Sequence, residues 1–156
     1  MLTKLVNAAA CREFVQNEDG NALVGLLGGT LPAASQPGYF QGSLLLTAET
    51  DGRGWTGRLI LRAADYEETI SYTVPPGARQ TAFVPAITVP ILKEGLLSGR
   101  LIDDVVRAKP LTATWKLVFG EGAPALPEAS GAEILEMTRL IAQQMAGAYK
   151  GGAAVH

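Results

Sequence analysis

The chain has 156 residues, enough for one ordinary domain with an appended element and too few for two. Thirteen Lys and Arg stand against 15 Asp and Glu, a net charge of -2, and aromatic residues are sparse, which disfavours a basic groove with stacking rings for nucleic acid. The only histidine is His156 and the only cysteine is Cys11, which excludes a disulfide framework, a Cys/His metal centre and a histidine-dependent catalytic triad.

At the start of the chain, Lys4 and Asn7 interrupt the apolar residues and Arg12 and Glu13 close them, so no cleaved secretory signal is expected. Ala8-Ala9-Ala10-Cys11 is superficially like a lipoprotein processing box, yet the residues ahead of Cys11 are too few for both a basic and an apolar region. Cys11 reads as a small core hydrophobe, with no neighbouring His or Lys to lower its pKa. The longest apolar stretch, Ala82 to Leu92, contains Pro85 and Pro90 and falls short of the ~20 residues of a membrane span. The expected location is the cytoplasm or a virion.

Turn signals then divide the chain into strand-sized pieces. Asn17-Glu18-Asp19-Gly20-Asn21 predicts a hairpin between Leu2–Phe14 and Ala22–Leu31, and Asp51-Gly52-Arg53-Gly54 predicts a second between Gln41–Thr50 and Trp55–Ala63. Trp55, Gly57, Leu59 and Leu61 fall on one face of their strand. Pro75-Pro76-Gly77 separates Glu67–Val74 from Gln80–Val89, and Pro85 and Pro90 belong at edges or bulges because proline lacks the ladder donor. Residues 90–110 leave a short helix around Ile91–Leu96 and a strand over Gly99–Val106 both open, whereas Leu111, Ala113, Trp115, Leu117 and Phe119 define a clear core-facing strand.

After Gly120 the pattern changes. Glu121 to Pro127 reads as an extended linker, and Ser130-Gly131-Ala132-Glu133 is a capping box that opens a helix. Ile134, Met137, Leu140, Ile141 and Met145 form its apolar stripe and are the candidate interaction residues, facing either the sheet of the same chain or another subunit. Lys150-Gly151-Gly152 supplies a stop. The expected fold is mainly β: an antiparallel two-layer β-sandwich over residues 1–120, a Pro/Ala linker over 121–129 and a C-terminal amphipathic α-helix over 130–150.

Three places invite a reading as a chemical site, and each is better explained structurally. Gly25-Leu26-Leu27-Gly28-Gly29-Thr30 lacks the Gly-Lys-Ser/Thr ending of a phosphate loop and the helix of a dinucleotide fold, so its glycines are expected to serve bends. The oxygen-rich turn at 17–21 does not match the spacing of a calcium loop. Asp103-Asp104 and the Asp65, Glu67, Glu68 group resemble acid–base or metal-binding carboxylates, but neighbours on a strand point to opposite faces. No catalytic residue, metal ligand or cofactor site is assigned.

Cys11, Arg12, Glu13, Gly20, Val24 and Gly25, followed by Pro37 and the apolar strand at Leu44–Leu46, resemble the Cys, Arg-Glu, Gly, Val-Gly rhythm of a family of small bacterial and phage proteins grouped as a domain of unknown function. The resemblance spans residues 5–63 and departs from the pattern in the insert from Val15 to Asp19 and in the added C-terminal helix. It implies a β-sandwich and no catalytic residues. Low charge and an apolar composition together favour a non-enzymatic protein that acts by association with protein partners, as a homo-oligomer or a capsid or tail component, with no nucleic-acid or membrane partner. The alternative is a small-molecule or lipid-binding module with an open apolar space between its sheets.

Overall fold

Wherever the sequence alternates apolar and polar residues it forms a strand, but the pairing of those strands differs from the simplest hairpin reading. The computed structural model describes residues 1–18, 20–120 and 130–149, the side chains of 16, 17, 21, 23, 130 and 145–149 excepted. The elements are β1 (Leu2–Asn17), β2 (Gly20–Leu26), β3 (Thr30–Ala33), β4 (Gly38–Thr50), β5 (Trp55–Ala63), β6 (Tyr66–Val74), β7 (Gln80–Phe83), β8 (Ala86–Ile91), β9 (Gly95–Asp103), β10 (Leu111–Phe119) and α1 (Ser130–Tyr149). The predicted linker at 121–129 and the stop at 150–152 lie outside the described residues.

The first sheet runs β2-β1-β4-β7, with β8 also on β4. β7 and β8 are one edge strand broken near Pro85: β7 pairs with Leu46–Glu49, β8 pairs with Gly38–Ser43, and the Leu44 N–H donates to the Pro85 carbonyl at 3.0 Å between them. Both Pro85 and Pro90 therefore sit on an edge, as their missing donor requires. The second sheet runs β3-β10-β9-β5-β6.

Two expectations are corrected and one open reading is closed. The piece Ala22–Leu31 is not one strand: β2 ends at Leu26, and the chain crosses to the other sheet, where β3 lies parallel to β10. Gly25 and Gly28 make that crossing with φ of 67° and 62°, which side chains with a Cβ resist, and the parallel pair makes the second sheet mixed rather than antiparallel throughout. Next, Gln41–Thr50 and Trp55–Ala63 do not form a hairpin. Both sides of β4 are taken by β1 and by β7/β8, so the turn at 51–54 carries the chain into the other sheet, where β5 pairs with β6 and β9. The returning turn at 75–79 lies beside it, with the Gly77 N–H donating to the Gly52 carbonyl at 2.9 Å and the Thr50 N–H to the Arg79 carbonyl at 3.0 Å. Finally, of the helix and the strand left open over residues 90–110, the strand forms: β9 occupies Gly95–Asp103.

Between the sheets, the large rings settle on glycines. The Phe40 ring lies over Gly42 and the Trp55 ring over Gly57, each two positions along the same strand face, and the Trp115 ring lies over Gly99 of the neighbouring strand. A Cβ at Gly57 would overlap both the Trp55 ring and the Ile102 carbonyl oxygen. Phe83 completes the cluster, its centroid 5.6 Å from that of Trp55 and 4.8 Å from that of Tyr72, distances at which tilted and edge-on rings attract.

Gly57→Ala is expected to destabilise the fold by about 2–4 kcal/mol, because ring and backbone must both shift. Gly95→Ala, where an added Cβ meets open space, is expected to stay within about 0.5 kcal/mol of wild type. Urea denaturation of the two variants compares these directly.

Candidate functional site

The carboxylates singled out in the sequence are engaged in local structure. Asp103 accepts the backbone N–H groups of Val105 and Val106 at 2.7 and 2.9 Å, tying off the turn after β9, and Asp104 pairs with Arg58 at 2.8 Å. Glu67 pairs with Arg62 at 3.2 Å, and the Tyr66 hydroxyl donates to Glu68. Asp65 lies in the two-residue turn between β5 and β6. These exposed pairs each contribute little to stability, and the two groups are not brought together into one acidic centre. Among the described residues, no three His, Cys, Asp or Glu side chains converge to hold a metal. The oxygen-rich turn at 17–21 includes Asp19, which is outside the described residues.

Cys11 is buried, and burial pushes its thiol above the ordinary cysteine value, partly offset by the backbone N–H groups of Glu13 and Ser43. That is the reverse of the shift a nucleophile needs. Its partners across the ladder, Ser43 and Leu26, place it on the opposite face of the first sheet from Ala10 and Leu44, which line the core.

The space between the sheets, where the alternative of a lipid- or small-molecule-binding module needs an open chamber, is occupied by Trp115, Phe40, Phe83 and the fully buried Leu31, Leu44, Leu59 and Leu97. The larger described cavity, about 380 Å³, is at the rim instead, between Arg12, Pro32, Ser35, Tyr39, Gln41 and Gly120. The stem of Arg12 lies against Gly25, where a Cβ would crowd it. Arg12 is the one charged residue in the lining.

Helix α1 docks on its own chain, against β8 and the adjoining part of β4. Thr138 is 4% exposed at the centre of the contact, its hydroxyl donating to the Ile134 carbonyl at 2.6 Å, and Leu135 is half-buried beside it. Burial of Thr88 and Pro90 in β8, which alternate with the core residues Ile87, Val89 and Ile91, accords with cover on both faces of that strand. The predicted stripe is divided by this docking. Ile134 and Ile141 flank the contact and are half-buried, while Met137 and Leu140 remain 46% and 54% exposed on the outer side; the side chain of Met145 is outside the described residues. Thr138 was missed as a contact residue because a threonine reads as polar in a periodicity count. The i→i−4 bond of Thr138 internalises its hydroxyl and allows its methyl to pack.

Further exposed apolar side chains are Val24 and Leu26 on β2, Leu96 on β9, and Val105 and Val106 in the turn before β10. No helix among the described residues is long and apolar enough to cross a membrane. No known family model matches the chain, and no curated protein matches it significantly.

Thr138→Asp is expected to lower stability by several kcal/mol and loosen the helix, since it places an unpaired carboxylate in the docked face, whereas Leu140→Asp should leave melting unchanged. Circular dichroism of both variants separates the inner face from the outer one. The Tyr66 and Tyr72 phenols are pushed well above the ordinary value by burial, with the Glu68 charge adding to the effect. Unfolded tyrosine ionises near pH ~10, so the stability these neutral phenols contribute is present below that pH and is lost as pH rises above it. Tyr72→Phe should therefore flatten the alkaline decline, as read from urea midpoints between pH 8 and 11.

Proposed function

We propose that this protein works by association with other protein subunits and carries out no chemistry of its own. The observation that carries this reading is the outer face of α1: the helix is already docked, with Thr138 buried, yet Met137 and Leu140 stay exposed side by side. One turn apart on a helix, two such side chains form a contiguous apolar spot. Leu26, 65% exposed on β2, and Val105, 80% exposed before β10, add apolar area elsewhere on the surface. The reactive groups, by contrast, are engaged in turns and ion pairs.

Within that reading the chain is a homo-oligomer or a structural part of a larger particle such as a phage capsid or tail. The low charge and the resemblance of residues 5–63 to bacterial and phage proteins support this version. A second reading, a small-molecule binding module, draws on the Arg12 cavity, whose single cation suits a small anion. Its rim position, away from the apolar interior, makes it a weaker basis than the exposed surface.

Sedimentation velocity over a hundredfold range of concentration, about 1 to 100 µM to bracket ordinary subunit affinities, is expected to show reversible assembly that Met137→Glu with Leu140→Glu weakens. A strictly monomeric wild type that also captures no structural partner contradicts the proposal.

A further inference from the structure

From the four sheet edges, we infer that β6 is the strand through which two copies of this chain join, antiparallel and centred on Ile70; this rests on the association reading above and names its partner. Proteins normally blunt exposed edges with short strands, prolines, bulges or charged side chains, lysine above all. Here β3 has four residues and contains Pro32, the β7/β8 edge is broken near Pro85 and carries Pro90, and β2 bends at Gly20 and Gly25 with φ of 126° and 67°. On β6 the only such device is charge at one end, where Glu67 and Glu68 stand together. Its nine residues, Tyr66-Glu67-Glu68-Thr69-Ile70-Ser71-Tyr72-Thr73-Val74, include no Gly, Pro, Lys or Arg, and its register with β5 runs without a shift from Ala63–Tyr66 to Trp55–Val74.

The direction of its backbone groups follows from the ladder. The Thr56 carbonyl accepts from the Asp104 N–H at 3.0 Å, so the even-numbered residues of β5 bond towards β9. Its odd-numbered residues bond towards β6, where their partners are Tyr66, Glu68, Ile70, Tyr72 and Val74. The N–H and C=O groups of Glu67, Thr69, Ser71 and Thr73 thus point outward, with no strand beyond them among the described residues.

A second β6 fits that edge. With a twofold axis at Ile70, Thr69 faces Ser71 and Glu67 faces Thr73 in the bonded pairs, while Ile70 faces Ile70, Glu68 faces Tyr72 and Tyr66 faces Val74 in the others. All nine residues are matched, the acidic ends lie at opposite ends of the ladder, and Thr–Ser and apolar pairs fill the middle, each a favourable cross-strand combination. Centring instead on Glu68 sets carboxylate against carboxylate, and parallel pairing brings both acidic ends together. The result is one continuous sheet through both copies.

The test is sedimentation velocity on charge-swapped edges. Thr69→Lys with Ser71→Lys, and separately Thr69→Glu with Ser71→Glu, should each weaken self-association at least about tenfold, because every like charge meets its own kind across the axis. Mixing the two variants should restore the dimer as a heterodimer. Lysines at Thr112 and Thr114, exposed on the interior strand β10, should leave association at the wild-type level. A wild type that associates while the edge variants associate equally well, or a mixture that does not recover, overturns the β6 assignment and leaves the association reading intact. A wild type that is monomeric throughout overturns both. Ile70→Cys in a Cys11→Ser background gives an independent readout, since facing residues in a non-bonded pair are spaced for a disulfide: an oxidised dimer supports the register, and its absence under associating conditions counts against it.

Discussion

Large aromatic rings in this protein lie against strand positions that have no side chain, and much of the architecture follows from that requirement. Sheets stacked face to face pack at about 10 Å, a gap that a tryptophan overfills if it stands upright between bulky neighbours. Laid flat over Gly57, Trp55 leaves room for Phe83 from the facing sheet, and Trp115 gains the same room from Gly99. The glycines weaken their strands individually by losing backbone entropy, but the apolar area of the rings offsets that cost. A core filled in this way leaves no open apolar chamber between the described strands, and the cavity of about 380 Å³ beside Arg12 lies at the rim.

Both crossovers at one end, residues 51–54 and 75–79, are hydrogen-bonded to each other, so the sheets are joined by short paired connections rather than by long loops of the kind that often carry binding or catalytic groups. The carboxylates nearest to forming a site serve turns and ion pairs. What remains available is backbone at the β6 edge and apolar side chains on the outer helix face, both of which suit contact with protein rather than reaction with a small molecule.

The strands were legible because burial on one face imposes a period of two that Trp55–Leu61 and Leu111–Phe119 keep almost without fault. The sheet to which each strand belongs was not. A Gly-rich turn such as Asp51–Gly54 announces a reversal, but whether the chain then pairs with the strand it has just left depends on whether that strand's edge is free, and β4 had none. The same limit hid the crossing at Gly25–Gly28 and the parallel pair it produces. Of the candidate interaction residues, the helix periodicity found the element but not its orientation. Ile134, Met137, Leu140 and Ile141 span an arc wider than one docked face, and only the position of β8 decides which part is covered. The β6 edge gave no signal of its own, since its significance lies in what the other three edges contain.

The central claim is that this molecule acts by joining to others, and amide hydrogen exchange on the wild-type protein at low and high concentration tests it without any substitution. The account predicts that the outward N–H groups of Glu67, Thr69, Ser71 and Thr73 exchange readily in dilute solution and become protected as concentration rises, while the inward groups of the same strand stay slow throughout. Rapid exchange of the outward set at every concentration, in a species that remains monomeric, would contradict it.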